Sequence, residues 1–306
     1  MRTLTPIHAP GLNAEVVHVR DLREAGVKHW RMNASDLQTP MRGTRARPDV
    51  DGTSFLARVQ AMQLLLGEGR FVSRRSAARL MLIPTDETFR DIEVGAINPQ
   101  KPPQRPGIVG HRIQPGALRC VPAGPHWLPA PEDVWALLGA VCSVDELIIA
   151  GDHLISTTRK TRGPRCSFAE LTDALARFRR CQGVGRLKSA LAQVRHGVAS
   201  PPETQVRLLI VRAGFEEPET NCPVPTNGRT LHADLGYPQW RIAIEYDGIY
   251  HFENGAEQLK FDTARYERMR AAGWTVLQLT SLDLKSPGEF LIRLADAIAR
   301  ARADNR

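Results

Sequence analysis

The sequence lacks any hydrophobic run long enough to span a bilayer, and its cysteines form no pattern typical of a metal site. No stretch approaches the roughly 18 consecutive apolar residues of a transmembrane helix. The five cysteines are scattered and include no C-x-x-C pair, so no zinc site is expected. We therefore predict a cytoplasmic protein with reduced thiols and no membrane partner.

Other missing patterns exclude further classes. The segment Gly183-Val184-Gly185 lacks the third glycine of a dinucleotide-binding loop, and it opens a helix that follows another helix instead of a strand. The histidines between residues 8 and 196 show no metal-ligand spacing, and the chain has no internal repeat. A dinucleotide-dependent enzyme and a repeat protein are therefore not expected.

The composition is that of a folded protein with a basic excess. Of the 306 residues 42% are hydrophobic and 24% are charged, and the length allows two or three domains. The formal net charge is +8, from 41 basic and 33 acidic residues. This excess suits a polyanionic partner and predicts binding that weakens as salt is raised.

Three carboxylates fall on two short apolar segments in the C-terminal third. Residues 231–235 and 240–246 each predict a strand, and a turn containing Gly and Pro joins them. Side chains alternate along a strand, so Glu245 and Asp247 point the same way, and an antiparallel partner places Asp234 across from them. Such oxygen ligands suit Mg²⁺ or Mn²⁺, which polarises a phosphodiester and lowers the pKa of attacking water. The pattern predicts a divalent-metal site.

A plainer interpretation of the same residues is the solvent-facing side of an edge strand. An E-x-D pair taken alone fits that interpretation more often. The functional one is favoured by the joint pattern, because Gly248 and His251 follow the pair directly and precede an amphipathic helix. His251 is either an ordinary loop histidine or a general base, phosphate donor or metal ligand.

At this point the residues resemble a known family. Residues 200–302 resemble the restriction-endonuclease-like superfamily, the PD-(D/E)xK nucleases, and within it the branch related to very-short-patch-repair endonucleases. The motifs that carry the resemblance are S-P-P-E-T-Q-V-R from Ser200, Ala233-Asp234, E-Y-D-G-I-Y-H from Glu245, D-T-A-R from Asp262, and G-W-T-V from Gly273. The chain departs from the wider superfamily at Asp247, which stands where a lysine is usual.

The resemblance implies an α/β nuclease that uses Mg²⁺ or Mn²⁺. Asp234, Glu245 and Asp247 would hold the metal, and His251 or Lys260 would replace the usual lysine. Arg265 or Lys260 would steady the developing charge on the phosphate. Cleavage by water in this superfamily leaves 5′-phosphate and 3′-hydroxyl ends.

Two residues of the first motif have alternative roles. Glu203 lies three residues after Ser200, and this capping-box spacing explains it without a metal. The resemblance instead places Glu203 in the metal shell and makes Arg207 a nucleic-acid contact. For Arg265, spaced three residues from Asp262 on a helix, the plain alternative is a solvated ion pair.

The N-terminal region predicts a helix-turn-helix and a basic loop. Residues 21–25 and 28–37 form candidate helices joined at a Gly turn. Arg42, Arg45 and Arg47 follow and would contact a phosphate backbone, although any one alone fits a solvated surface.

Residues 12–156 resemble the abortive-infection type IV antitoxin family, on this layout and on V-S-R-R-S-A-A from Val72. Members of that family begin with a winged helix. This layout predicts helices over 53–66, 131–138 and 144–155 and strands over 92–97 and 108–113.

The sequence thus predicts a mixed α/β fold with a restriction-endonuclease-like C-terminal core and a winged-helix-like N-terminal region. The expected segments are 1–50 winged-helix-like, 51–160 antitoxin-like α+β, 161–199 a helical linker, and 200–306 the nuclease. The predicted function is a metal-dependent deoxyribonuclease in a defence or repair setting, with DNA as its partner and a homodimer or a nearby-encoded protein as a further one. Two alternatives remain, a non-catalytic regulator of antitoxin type and a sensor of DNA ends or structures.

Overall fold

The computed structural model describes residues 14–86, 88–123, 126–157, 164–248 and 255–304, and it confirms a mixed α/β fold. The chain forms two compact units, with residues 1–141 and 173–184 in unit 1 and residues 142–172 and 185–306 in unit 2. In the ranges just given, no helix combines the length and the apolar character needed to cross a membrane. The division into four segments stays a prediction.

Unit 1 combines short helices with three small sheets. Its elements are β1 (Val16–His18), α1 (Val19–Glu24), α2 (His29–Met32), β2 (Thr44–Ala46), α3 (Phe55–Leu65), β3 (Arg70–Val72), α4 (Arg74–Leu80), β4 (Ile92–Ile97), β5 (Ile108–Ile113), β6 (Cys120–Ala123), β7 (His126–Pro129) and α5 (Pro131–Leu138). Strand β4 pairs antiparallel with β3 and parallel with β5, while β1 pairs with β2 and β6 with β7, both antiparallel. The predicted strands 92–97 and 108–113 and the predicted helix 131–138 are confirmed. The predicted helix 53–66 begins two residues later and ends one residue earlier in the structure.

The helix predicted over 28–37 is much shorter in the structure, where Arg45 binds its carbonyl end. Helix α2 ends at Met32. Arg45 donates from Nε to the Met32 carbonyl and from Nη2 to Asn33 Oδ1, at 2.5 and 2.7 Å. The Arg45 guanidinium therefore satisfies the carbonyl end of α2, a long-range cap that no local pattern announces.

Helix α4 begins at a buried polar cluster. Ser73 precedes the helix, but its hydroxyl lies 2.7 Å from His111 Nε2 instead of capping the helix. The Glu93 carboxylate from β4 accepts the backbone N–H of Arg75 at 2.7 Å and so supplies the cap. Burial, helped by the nearby Arg74 charge, lowers the pKa of His111 to about 3.

This low pKa predicts that unit 1 loses stability in mild acid. The folded state keeps His111 neutral while the unfolded chain takes up a proton near its ordinary pKa, so stability is full above about pH 6.5 and falls toward pH 3. The slope from this one group is about 1.4 kcal/mol per pH unit at most. Burial raises the pKa of Glu93, which opposes the trend in its own titration range.

Urea unfolding at pH 7, 6 and 5 checks this for the wild type, His111→Asn and the exposed control His29→Asn. Only His111→Asn is expected to flatten the slope, since Glu93 contributes equally to all three. Equal slopes in the three proteins would contradict the assignment.

Unit 2 is a four-stranded mixed sheet with helices on both faces. Its elements are α6 (Val144–Ile155), α9 (Pro201–Arg212), β8 (Glu219–Pro225), β9 (Thr230–Tyr237), β10 (Ile242–Tyr246), α10 (Gly255–Ala271), β11 (Thr275–Leu279), α11 (Ser281–Lys285) and α12 (Gly288–Asp304). Two helices, α7 (Phe168–Arg177) and α8 (Val184–Leu191), have residues in both units, and Val184 is the only residue of α8 in unit 1. The strand order is β11-β10-β9-β8, with β10 parallel to β11 and all other pairs antiparallel. Predicted helix 144–155 is confirmed.

Two hydrophobic clusters hold the sheet between its helices. On one face, residues of α9 and α12 such as Ile210 and Phe290 pack against β9, β10 and β11. On the other face, Met269 of α10 packs with Ala243 and Trp274. The alternation expected for β10 is therefore present, because Ile242 and Ile244 lie on the first face and Ala243 on the second.

Strand β8 is an element that the sequence did not predict. It contains Pro223 and Pro225, which cannot donate a backbone hydrogen bond, and both are exposed. Strand β8 lies at the edge of the sheet, where prolines are tolerated. Because of these prolines the local pattern does not predict a strand, although β8 pairs with β9 along most of its length.

Candidate functional site

A cleft of about 730 Å³ in unit 2 collects acidic, basic and aromatic side chains. It lies beside β8, β9 and β10 and the facing parts of α9 and α10. The acidic residues in its wall are Glu203, Asp234, Glu245 and Asp262; the basic ones are Arg229, His232 and Arg265; the aromatic ones are Tyr246, Phe261 and Tyr266.

Asp234 and Glu245 come from neighbouring antiparallel strands. Strand β10 pairs with β9 up to Ile244 opposite Leu235, so continuing the register by one residue sets Glu245 against Asp234. In place of regular strand pairing, the backbone N–H of Tyr246 donates to Asp234 Oδ2 at 3.0 Å. Both carboxylates line the same cleft, which is the juxtaposition that the hairpin argument required.

The side-chain alternation of β9 breaks at Asp234. Leu231 and Ala233 pack with the α10 face, whereas Leu235, at the same parity, packs with the α9 and α12 face. Asn221 of β8 falls between the pairs that bracket Asp234 and has a left-handed φ of 48°. Asp234, at this break, lines the cleft.

Glu245 is held by Arg265. The carboxylate is 2% exposed, and it accepts two hydrogen bonds from the guanidinium, Nη1 to Oε2 at 3.0 Å and Nη2 to Oε1 at 2.7 Å. Nη2 also donates to the His232 carbonyl at 2.7 Å. Burial alone would lower the pKa of Arg265, but the carboxylates of Glu245 and Asp234 outweigh it and the pKa is raised. Arg265 thus pairs with a strand residue instead of Asp262.

Asp247 faces other partners than the cleft. It lies one residue beyond β10, and its carboxylate accepts the Tyr266 hydroxyl at 2.6 Å and the Gln278 amide at 2.9 Å. Burial, and then the hydrogen bond to Asp247, raises the pKa of Tyr266, so this hydroxyl stays a donor. This corrects the expectation that Asp247 is a metal ligand. Each of its two carboxylate oxygens is taken by a neutral donor, one from Tyr266 of α10 and one from Gln278 of β11.

Glu203 binds the residues that precede its own helix and also lines the cleft. The side chain is 3% exposed, and its oxygens accept the Ala199 N–H at 2.8 Å and the Ser200 hydroxyl at 2.9 Å. Ser200 makes no side-chain cap hydrogen bond, so the predicted capping box is not formed, and Glu203 instead binds Ala199 and Ser200 just before the helix. Glu203 also lines the cleft, and its place in a metal shell stays a prediction.

The structure corrects the expected nucleic-acid contact at Arg207. Its side chain is 1% exposed and donates to Asp152 Oδ2 at 2.9 Å, to Glu217 Oε1 at 2.8 Å and to the Gln193 carbonyl at 2.8 Å. A guanidinium buried in this network cannot reach a phosphate backbone. Arg207 ties helices α6 and α9 together within unit 2.

The three N-terminal arginines, predicted to contact nucleic acid, have different environments in the structure. Arg45 is taken up by the end of α2, which corrects its expected role, and Arg47 pairs with Asp49 through two hydrogen bonds of 2.9 and 2.5 Å. Arg42 is exposed. His251 lies outside the described residues, and so does the side chain of Lys260, so their predicted roles stay predictions.

The described side chains do not form a metal site as they stand. Over the ranges that the structure describes, no three His, Cys, Asp or Glu residues are grouped so as to hold a metal ion. The charge of Glu245 is already neutralised by Arg265 with both oxygens engaged. Part of the metal-ligand set that the resemblance implies therefore lines the cleft. The positive charge beside Glu245 is that of the Arg265 guanidinium.

Sequence reasoning missed several residues of the cleft. His232 stands two positions before Asp234, and this spacing on a strand could have identified it. Arg229 and Phe261 gave no local signal, because only the packing of α10 beside β8–β10 brings them to one wall.

Comparisons with known proteins locate relatives without naming an activity. A stretch of 143 residues is 29% identical to "Uncharacterized protein MT2308" and "Uncharacterized protein Rv2248" of Mycobacterium tuberculosis, from strains CDC 1551 / Oshkosh and ATCC 25618 / H37Rv. The match covers 46% of this chain and 52% of each relative, so the chain spans about half the length of the curated relatives it matches. No family model matches the chain, and no solved structure matches it.

Proposed function

We propose that the protein is a nuclease that hydrolyses phosphodiester bonds in DNA at the cleft of unit 2. One observation carries the proposal: Asp234 and Glu245 reach the same cleft from neighbouring strands. Charged carboxylates in a partly buried cleft are costly to maintain and concentrate at functional sites.

The remaining wall of the cleft supports a nucleic-acid substrate. Arg229 and His232 are exposed in the wall and suit phosphate oxygens. Phe261 is 57% exposed beside them and offers a flat apolar face to a base. The net charge of +8 favours the same partner. A cytoplasmic location and use of Mg²⁺ or Mn²⁺ belong to the proposal.

Incubation of the full chain with supercoiled plasmid and linear single-stranded DNA tests it. With Mg²⁺ or Mn²⁺ added over a range of salt, we expect strand cleavage that disappears in the double variant Asp234→Ala, Glu245→Ala. Intact DNA with both proteins at every metal and salt concentration would reject the proposal.

A non-catalytic DNA-binding regulator of antitoxin type is the second candidate. The observation that favours it is the bidentate Arg265–Glu245 pair, which satisfies the buried acid without a metal or substrate. Footprinting on the promoter of the protein's own gene distinguishes the candidates. Protection of one palindromic site without cleavage would support the regulator.

Phe261 is expected to set a preference for unpaired DNA. Base stacking on an aromatic side chain contributes about 1–3 kcal/mol, so Phe261→Ala is expected to weaken binding of a single-stranded oligonucleotide by about 5- to 150-fold. Duplex binding should change much less, since paired bases cannot stack on the ring. Fluorescence anisotropy with both ligands measures the difference.

Phe168→Ala is the matched control, because Phe168 of α7 is 39% exposed and lies outside the cleft wall. An equal loss for both variants, or an equal loss on both ligands, would show that Phe261 does not bind an unpaired base.

A further inference from the structure

A hollow of about 490 Å³ in unit 1 lies between the end of α3 and the loop that joins β4 to β5. Its wall contains three apolar side chains and three cations: Met62, Leu65, Leu66, Arg70, Lys101 and Arg105. Its described lining residues include no carboxylate and no aromatic ring. A hollow of this kind suits a ligand that carries negative charge next to an apolar group.

The positive charge of Arg70 is held in place but not neutralised. Its Nε donates to the Lys101 carbonyl at 2.7 Å, and its Nη2 donates to Gln100 Oε1 at 3.3 Å. Both acceptors are neutral, so they orient the guanidinium without cancelling its charge. Arg70, Lys101 and Arg105 form no ion pair with any residue that the structure describes. All three cations can therefore pair with carboxylates of a ligand.

The loop that carries Lys101 and Arg105 is held against the sheet. Pro102 and Pro103 fix two of its φ angles. Pro102 also packs on Gly110 of β5, where an added Cβ would lie 2.6 Å from the Pro102 Cβ and Cγ, so only glycine permits this approach. The backbone positions of the two cations are thus set before a ligand binds, which lowers the entropy cost of binding.

A second hollow, of about 380 Å³, shares Leu66, Gly67 and Arg70 with the first. Its lining also includes Phe71, and the acid in its wall, Glu68, is exposed. The surface therefore offers two partly apolar hollows with Arg70 common to both. An extended polypeptide can reach both, because its alternate side chains point the same way and lie about 6.5 Å apart.

We propose that these two hollows form a docking surface for an extended acidic segment of a partner protein. Carboxylates of the segment pair with Arg70, Lys101 and Arg105, and its apolar side chains enter the hollows. The docking surface belongs to unit 1, whereas the proposed nuclease cleft belongs to unit 2. It can therefore exist whether or not the protein cleaves DNA.

The combination of cations and apolar lining favours a polypeptide over nucleic acid. A DNA backbone supplies charge for the cations but leaves the apolar lining in water. The first hollow also has no aromatic ring, among its described residues, on which a base could stack. A second copy of the chain is a poor source of an acidic segment, because its formal net charge is +8.

Fluorescence anisotropy of a labelled peptide with the full chain, at low salt, tests the proposal. The probe is the nine-residue peptide EDLDEDLDE, whose two leucines and central glutamate fall on one face of an extended chain. Two further peptides separate the contributions: EDSDEDSDE keeps the charge without the leucines, and QNLNQNLNQ keeps the leucines without the side-chain charge. We expect each to bind at least about fivefold more weakly than the probe.

The double variant Lys101→Gln, Arg105→Gln is expected to weaken probe binding by at least about fivefold. Both side chains are exposed, so the change should leave the fold intact. Arg23→Gln, Lys28→Gln is the matched control, because it removes the same charge from exposed residues of unit 1 outside the hollows. The control should bind the probe as the wild type does.

Equal losses in the two double variants, or equal binding of the probe and the serine peptide, would reduce the interaction to general charge attraction and overturn the proposal. Absence of probe binding to the wild type would overturn it as well. Stronger displacement of the probe by a single-stranded oligonucleotide of matched charge than by unlabelled probe would assign the surface to nucleic acid instead. Dissociation of a wild-type dimer by the probe, seen by light scattering, would assign it to a second copy, and either result would also overturn the proposal.

Discussion

Asp234→Asn is expected to lower the rate of DNA cleavage by at least about 100-fold, the lower end of what one electrostatic or acid–base group contributes to catalysis. The substitution removes the charge while keeping the shape. An asparagine oxygen can still accept the Tyr246 N–H that Asp234 Oδ2 accepts at 3.0 Å. The β9–β10 connection should therefore persist, and stability should change by less than about 1 kcal/mol.

Asp296→Asn is the matched control, because Asp296 lies exposed on α12 and makes the same chemical change outside the cleft. Initial rates of plasmid nicking, with thermal unfolding of each variant, measure the effect. Full activity in folded Asp234→Asn would show that the Asp234 charge is not needed for cleavage.

Arg207→Met is expected to lower the free energy of unfolding of unit 2 by about 3–5 kcal/mol. The substitution leaves Asp152 buried, and this carboxylate also accepts the Arg195 N–H at 2.7 Å and the Thr204 hydroxyl at 2.9 Å. Burial raises the pKa of Asp152 even with Arg207 beside it. The loss should shrink at lower pH, because a protonated Asp152 carries no unpaired charge.

Urea unfolding of Arg207→Met beside Arg212→Met measures this loss. Arg212 pairs with Asp145 at the surface, where both side chains are about half exposed, so its loss should cost less than about 1 kcal/mol. The double variant Arg207→Met, Asp152→Asn should recover part of the stability by removing the unpaired charge. Equal losses in the two arginine variants would show that the buried network contributes no more than a surface pair.

Local patterns were enough to predict many elements. The apolar runs over 92–97 and 108–113 are strands at those bounds, and the helices at 131–138 and 144–155 are also confirmed. In these segments hydrophobic periodicity and helix-start residues agree with the tertiary packing. Ser143 and Glu146, for example, form the capping box that opens α6.

The sequence by itself determined the mixed α/β class, and it put Asp234 and Glu245 on adjoining strands, since the alternation and the turn lie within about twenty residues. Only the tertiary structure decided the partners of the charged side chains. Arg265 binds Glu245 instead of Asp262, Asp247 binds Tyr266 and Gln278, and Arg207 is buried against Asp152. Spacing along one helix or strand gives only local neighbours. Strand register, the break at Asp234 and the packing of α10 on the sheet bring distant residues within hydrogen-bonding distance, and these contacts set the charge of the cleft.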